Sequence, residues 1–419
     1  MTKLTYFFPD SQDFIDPTFC FQRETRNEHR IRQRDDKYPH EVFPRPYDGI
    51  LVSKAVVDGL GGSGKYSQPQ RNRFYRQGVK RFFRLDSTFQ TMGDCGAFTY
   101  ADLEEPPYSV DEVIEFYSRS RFDFGVSLDH IVFSYDKPKA PVSGQELKEC
   151  IRRQEMTLDL ADQFLSRTKK EEFTPLGVAH GWNPKSYKES VQALIKMGYQ
   201  RITLGGMVPL KTSQILEVLQ EVSQVRKATT QFHLLGIARV DNVADYIRYG
   251  VTSIDNTTAL QQAFKDQKKN YHTIDGNYYT ALRIPQLNAN PKLSRLIKSG
   301  KVDQDQARKL EKQSLQAMQE FQAGIKSIED TLAPILEYEK LYDGEKAGKL
   351  AGEYQRTLEA RPWEQCQCEI CRKLQHNVVI FRGSERNRSR GFHNIQVFYK
   401  RLQDEITKYA KANEERKCG

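Results

Sequence analysis

No stretch of this chain approaches the roughly 20 consecutive apolar residues that a membrane-spanning helix needs. Only 38% of its residues are hydrophobic and 28% are charged. The N-terminal MTKLTYFFPD has no basic-then-apolar leader, so no secretory signal is expected there. Cysteine is also sparse, at 7 in 419 residues. Three of the seven crowd into one short segment, which excludes a disulfide framework and points to a reducing, cytoplasmic setting. A nucleotide-binding P-loop is missed by one residue. Gly59, Gly64 and Lys65 have the required spacing, but Tyr66 stands where a Ser or Thr must hold Mg²⁺. The stretch reads as a mobile glycine-rich loop.

What is present in excess is positive charge. Lys and Arg number 64 against 55 Asp and Glu, giving a net charge of +9 and a pI near 9.0. An anionic partner is expected, and nucleic acid is the obvious one. Two stretches could serve it. Residues 71–84, RNRFYRQGVKRFFR, interleave basic and aromatic side chains, which can pair phosphates and stack bases or else bury their rings in a core. Residues 382–390 are dense in arginine.

At 48.6 kDa the chain can hold one large barrel or two ordinary domains. Residues 1–47 are polar, aromatic and without period, and read as an arm or cap. From residue 48 to about 286, short apolar runs alternate with helical patterns. The runs are 49–53, 80–84, 90–93, 125–133, 174–180, 201–206, 231–237 and 251–255; helices are expected at 110–119, 144–168, 185–197, 211–225 and 241–249. Buried runs alternating with helices imply a parallel sheet, and eight of them close into a (β/α)8 TIM barrel. No G-x-G-x-x-G sits directly at the end of the first run to favour an open dinucleotide-binding sheet. Residues 287–355 read as a helical insertion of two or three helices, 356–394 as a metal-binding subdomain, and 395–419 as a C-terminal helix closing the barrel.

The metal-binding segment carries the most specific signal. Cys366, Cys368 and Cys371 form a CxCxxC loop that turns three sulfurs to one side. A distant histidine completes a tetrahedron around Zn²⁺. His393, twenty-one residues beyond Cys371, is the chosen fourth ligand and His376 the fallback. Four protein ligands leave no coordination position for water, so this zinc is structural.

Chemistry must therefore lie elsewhere, and in a barrel it lies where strands end. The apolar runs end in Asp94, in Asp129, in His180-Gly181, in Gly205-Gly206 and in Asp255. A lone aspartate at a strand end is often a cap or turn residue. Three carboxylates, a histidine and a Gly-Gly pair converging on one mouth suit glycosyl transfer: one carboxylate attacks an anomeric carbon while another shuttles protons. The Gly-Gly backbone would let a flat ligand approach closely, with Asp129 and His180 on the edge of a heterocyclic base.

These motifs, taken in order from about Gly49 to the C-terminal helix, resemble the tRNA-guanine transglycosylases, which exchange a guanine for a 7-deazaguanine base. The resemblance implies that Cys366, Cys368, Cys371 and His393 bind the structural zinc. Asp94-Cys95-Gly96-Ala97-Phe98 matches the family's D-S-G-[GA]-F, making Asp94 the proton shuttle and Phe98 a base-binding residue. Asp129 in SLDH matches its base-binding aspartate, Ala179-His180-Gly181 its V-Q-G, Leu204-Gly205-Gly206 its L-G-G, and Asp255 its nucleophile. The chain departs from the family at Cys95, at His180 and in a shorter spacer before His393. It also lacks the P-T-R-x-G-R stretch and the appended RNA-binding domain that serve tRNA in other members. Those absences resemble the DNA-acting, DpdA-type branch, which places 7-cyano-7-deazaguanine (preQ0) in DNA. DNA is thus the expected partner, with tRNA the alternative, and accessory DNA-modification proteins are possible partners. A zinc-containing subunit that binds nucleic acid without catalysis is a further alternative; retention of Asp94 and Asp255 speaks against it.

Overall fold

The computed structural model describes residues 4–10, 12–60, 64–137 and 139–418. Part of the P-loop-like stretch, residues 61–63, lies outside the described residues. Eight parallel strands close into a barrel in sequence order. They are β1 Thr5–Pro9, β2 Gly49–Ser53, β3 Gln90–Asp94, β4 Phe124–Val126, β5 Thr174–Ala179, β6 Arg201–Leu204, β7 Gln231–Leu234 and β8 Val251–Asp255. Closure is made by β1, whose Tyr6 lies opposite Ile254 and whose Phe7 lies opposite Gly49 on one side and Asp255 on the other.

Helices Val110–Ser120, Gly144–Arg167, Pro184–Met197, Thr212–Ser223 and Val243–Arg248 return the chain from the end of one strand to the start of the next. Their starts are fixed locally. The Ser109 hydroxyl accepts the Glu112 N–H while the Glu112 carboxylate reaches back to Ser109 N–H, and Asn183 caps its helix by accepting from Ser186 N–H. Inside the barrel, Phe7, Leu51, Met92, Phe124, Val126, Leu176 and Val178 form one buried cluster. Each such side chain contributes about 1.5–3 kcal/mol on burial, so the interior is a packed core rather than a channel.

The expected number of strands is right and one of them is not. Residues 80–84 belong to a helical turn, Val79–Phe82, that starts at Gly78 with φ +75°. Thr5–Pro9, expected in an arm, is the barrel strand instead. The alternation that marks it is carried by aromatics: Phe7 points into the core cluster, while Phe8 stacks on Tyr47 with ring centroids 5.2 Å apart. The rings of the 71–84 stretch are likewise structural. Phe74, Phe82 and Phe83 are buried, with Phe74 also packed on Phe116 and Phe122. Lys80 is held by Asp123 at 3.0 Å, and Arg73 lies over the Phe82 ring. These groups are engaged in packing rather than turned out to stack bases.

The chain divides into two compact units. The barrel unit comprises residues 1–12, 47–257 and 402–419; the second unit comprises 13–46 and 258–401. Residues 258–286, expected in the barrel, therefore belong to the second unit. Its helices are Thr258–Lys265, Pro291–Lys298, Gln304–Gln322, Ile328–Asp343 and Ala351–Ala360 among others. The long helix Gly383–Cys418 begins there, earlier than expected, and takes in most of the arginine-dense segment. Arg382, Arg386 and Arg390 are buried. Arg382 and Arg386 clasp Glu24. Burial pushes the Glu24 carboxyl up, and hydrogen bonds from Arg382 and Gln286 with the two arginine charges outweigh it, bringing it to about 2. Arg390 donates to the carbonyls of Val378, Ile380 and Ala263. These three arginines hold the second unit together and are not available to phosphates. Among the described residues, no helix is long and apolar enough to cross a membrane.

Candidate active site and metal centre

Each strand end delivers its side chain by register. Asp94, the last residue of β3, lies opposite Ser53, the last of β2. Ser53 hydrogen-bonds it, yet its Oδ1 is buried without a partner. Burial is the main force on this carboxyl, and the charges of Asp255 and Asp129 add to it. Against the opposing Ser53 bond they push Asp94 up to about 7. Asp94 therefore lies close enough to feel both of the other aspartates named from sequence.

Asp255, at the end of β8, sits in the opposite environment. Its Oδ1 accepts the Gly236 N–H at 2.9 Å and faces His233 Nε2 at 3.2 Å. His233 Nδ1 meets Ser253 Oγ at 2.9 Å, so the ring is braced from behind. With a carboxylate oxygen in front of it, Nε2 is placed to donate a proton to Asp255. Tyr6 OH donates to Asn256 O at 2.8 Å and pins the chain just past the carboxylate. His233 was missed in the sequence; the signal was a polar ring between two apolar residues, Phe232 and Leu234, of β7.

Asp129 follows β4 and His180 follows β5. The two bond to each other, Oδ2 to Nε2, at 2.8 Å, and both are buried. Gln154 Nε2 donates to His180 O at 2.6 Å and fixes the backbone from the helix behind. His180 Nδ1 is buried without a partner. The Gly205–Gly206 turn after β6 packs directly on this ring. A Cβ on Gly205 would stand 2.5 Å from His180 Cε1. One on Gly206, where φ is +72°, would stand 2.5 Å from Val132 O. Both glycines are thus required by the protein's own packing. Tyr187 OH donates to Gly205 O at 2.8 Å and locks the turn. Cys95 lies beside Asp94 and packs on Tyr117, with Sγ 3.6 Å from the phenol oxygen. Burial, reinforced by the Asp129 charge, pushes its thiol well up, so it stays neutral. Phe98 stands on the rim, 57% exposed.

The four cysteine and histidine residues meet in the second unit. Cys366, Cys368, Cys371 and His393 place their ligand atoms within 4.8 Å of one another. Cys368 caps helix Glu369–Leu374 and Cys371 stands in its first turn. His393 Nδ1 lies 3.6 Å from Cys366 Sγ and 3.4 Å from each of the Cys368 and Cys371 sulfurs. A tetrahedral ion with Zn-like bond lengths sets sulfur and nitrogen about 3.5 Å apart, so the donor set fits such an ion. His393 Nε2 donates to His272 O at 2.8 Å, which leaves the Nδ1 lone pair facing the sulfurs. Tyr271 stacks on the His393 ring, centroids 4.2 Å apart, with its OH 3.2 Å from Cys371 Sγ. The fallback ligand His376 is not in the cluster; its Nδ1 is buried without a partner, under the charge of Arg386.

No protein-family model matches the chain. It is 64% identical over 405 residues to a DNA-guanine transglycosylase from Salmonella montevideo, an alignment that covers 96% of this chain and 97% of that protein.

Proposed function

The chain belongs to the DNA-guanine transglycosylase family, and on that premise we propose that it exchanges a guanine in DNA for the 7-deazaguanine base preQ0 by double displacement on Asp255. The observation that carries the mechanism is the contrast between two carboxylates in one mouth. Asp255 accepts a backbone N–H and an imidazole N–H, which suits an anionic nucleophile. Asp94, pushed up to about 7 with one oxygen unpartnered, suits a group that gains and loses a proton.

A target deoxyguanosine leaves the base stack and enters the mouth. An Asp255 oxygen attacks C1′, the C1′–N9 bond breaks, and its electron pair departs with guanine, which takes the proton of Asp94 and leaves that carboxylate ready to accept another. PreQ0 then replaces guanine, Asp94 accepts its N9 proton, and the freed nitrogen pair attacks C1′. The Asp255–C1′ bond breaks and the carboxylate is restored. Two inversions leave the sugar configuration retained. Asp129 accepts from the N–H edge of the base, His180 offers the unpartnered Nδ1, the Gly205–Gly206 backbone lines the pocket, and Phe98 covers it. Zinc is the metal for Cys366, Cys368, Cys371 and His393. It supplies fold stability and no step of the exchange, since four protein ligands close its coordination.

The test is a nucleoside digest. The zinc-loaded protein is incubated with preQ0 and, separately, with duplex DNA, single-stranded DNA and tRNA, and the products are analysed by mass spectrometry. A deoxyribonucleoside of preQ0 is expected. A ribonucleoside alone would move the reaction to tRNA, and no product on any polymer would overturn the proposal.

A further inference from the structure

Among its described residues, the barrel unit exposes five large apolar side chains: Phe98, Leu103, Phe133, Ile151 and Val208. All but Ile151 stand on the loops that follow β3, β4 and β6, on the rim that carries the carboxylates. None stands on the loops that enter the strands at the other end. The same rim loops also bury the large apolar residues Ile131, Val132, Met207 and Leu210. Exposure is therefore selective, and an apolar group held selectively in water on one rim marks a contact surface.

Phe133 is the second aromatic ring of this set, and the proposed mechanism does not use it. It is 42% exposed, and its ring lies 5.3 Å from that of Phe98 at 54°. At that separation the rings touch, so a flat ligand lies on an outer face rather than between them. Side-chain hydrogen bonds tie down the loop on either side of Phe133. Arg153 donates to Ile131 O and to Ala101 O, both at 3.0 Å, and Ser134 Oγ donates to Glu146 at 2.6 Å. Exposed Lys137 and Lys139 follow on the same loop.

We propose that Phe133 is a base-stacking residue whose exposed face takes a nucleobase flanking the guanine that has left the stack. The inference rests on the reading that the substrate is DNA. Removing one base from a stack strips its neighbours of an aromatic face, and a ring on the rim replaces it. The two lysines supply phosphate contacts beside it, the pairing of ring and cation by which single strands are held.

The experiment uses single-stranded oligonucleotides with one guanine and 2-aminopurine on each side in turn, with wild type, Phe133→Ala and Phe133→Trp. Binding to wild type is expected to quench 2-aminopurine on one side. Phe133→Ala should abolish the quench and raise the Kd for DNA by about 5- to 100-fold, with the KM for the incoming base unchanged. Phe133→Trp should restore both. An abasic residue at the quenched position should make wild type and Phe133→Ala bind alike. Unchanged DNA binding by Phe133→Ala, or an equal loss on the abasic strand, overturns the inference while wild-type exchange on DNA still stands. Failure of wild type to exchange guanine in any DNA overturns the functional reading, and this inference falls with it.

Discussion

Asp94, Asp129 and Asp255 come from three different strand ends spread over more than half the barrel's sequence, whereas Cys366, Cys368 and Cys371 lie within six residues and need only His393 from afar. Both sets bury groups that prefer water, and they settle the cost differently. The thiols and imidazole face a common point where a cation fits, and one ion there would neutralise the thiolates together. The aspartates have no such cation. Asp255 is satisfied by the Gly236 N–H and His233, Asp129 by His180, and Asp94 is left to carry the repulsion by holding its proton to about 7. A site that neutralises everything holds still, and one that leaves a single carboxyl frustrated can move a proton.

The comparison is broken most severely at the metal. Cys368→Ser, or removal of the ion with a chelator, should cost the second unit several kcal/mol or unfold it, given apparent zinc-binding energies of about 10–16 kcal/mol in small structural sites. Metal analysis and limited proteolysis of residues 258–401 would record it. Asp255→Asn should leave the zinc content at that of wild type and lower the exchange rate by about 10⁴-fold, with no polymer–protein adduct trapped. Wild-type turnover in that variant would remove Asp255 from its role.

Asp94→Asn should lower exchange by about 10²–10⁴-fold and remove the limb in which kcat/KM rises with pH through about 7. Stability moves the other way. The folded carboxyl, at about 7, holds its proton longer than the unfolded one, whose ordinary value is 3.8. The native state therefore binds more protons between those values, and wild type loses stability as pH rises from about 4 to 7. Asp94→Asn should escape that loss and be more stable above pH 7 by roughly 1–4 kcal/mol, and equal at pH 3–4, as denaturant titrations at the two pH values would show.

The smallest effect sharpens the contrast. His233→Gln loosens one of the two donors to Asp255 while keeping polarity, and should lower kcat by about 10- to 100-fold. The KM for the incoming base and the zinc content should not change. A loss confined to KM would mean that His233 serves the base instead of the nucleophile.

Local pattern made much of this legible. Seven of the eight barrel strands stand where apolar runs alternate with helical periods. The exchange of 80–84 for Thr5–Pro9 shows the limit. Both are aromatic runs, and a ring that packs on helices gives the same letters as one that packs inside a barrel. The arginines at 382–390 misled for a related reason. Charge reads as surface until the carboxylate that buries it is known, and Glu24 is more than 350 positions away.

The sequence by itself determined the barrel, the CxCxxC cluster and the aspartates at or just past strand ends, because short-range spacing dictates them. Only the tertiary structure decided which carboxylate is braced and which is frustrated. His233 reaches Asp255 from the neighbouring strand, and Asp94 feels one charge from past the next strand and another from the last strand of the barrel. Such long-range electrostatics depends on distances that no local pattern encodes.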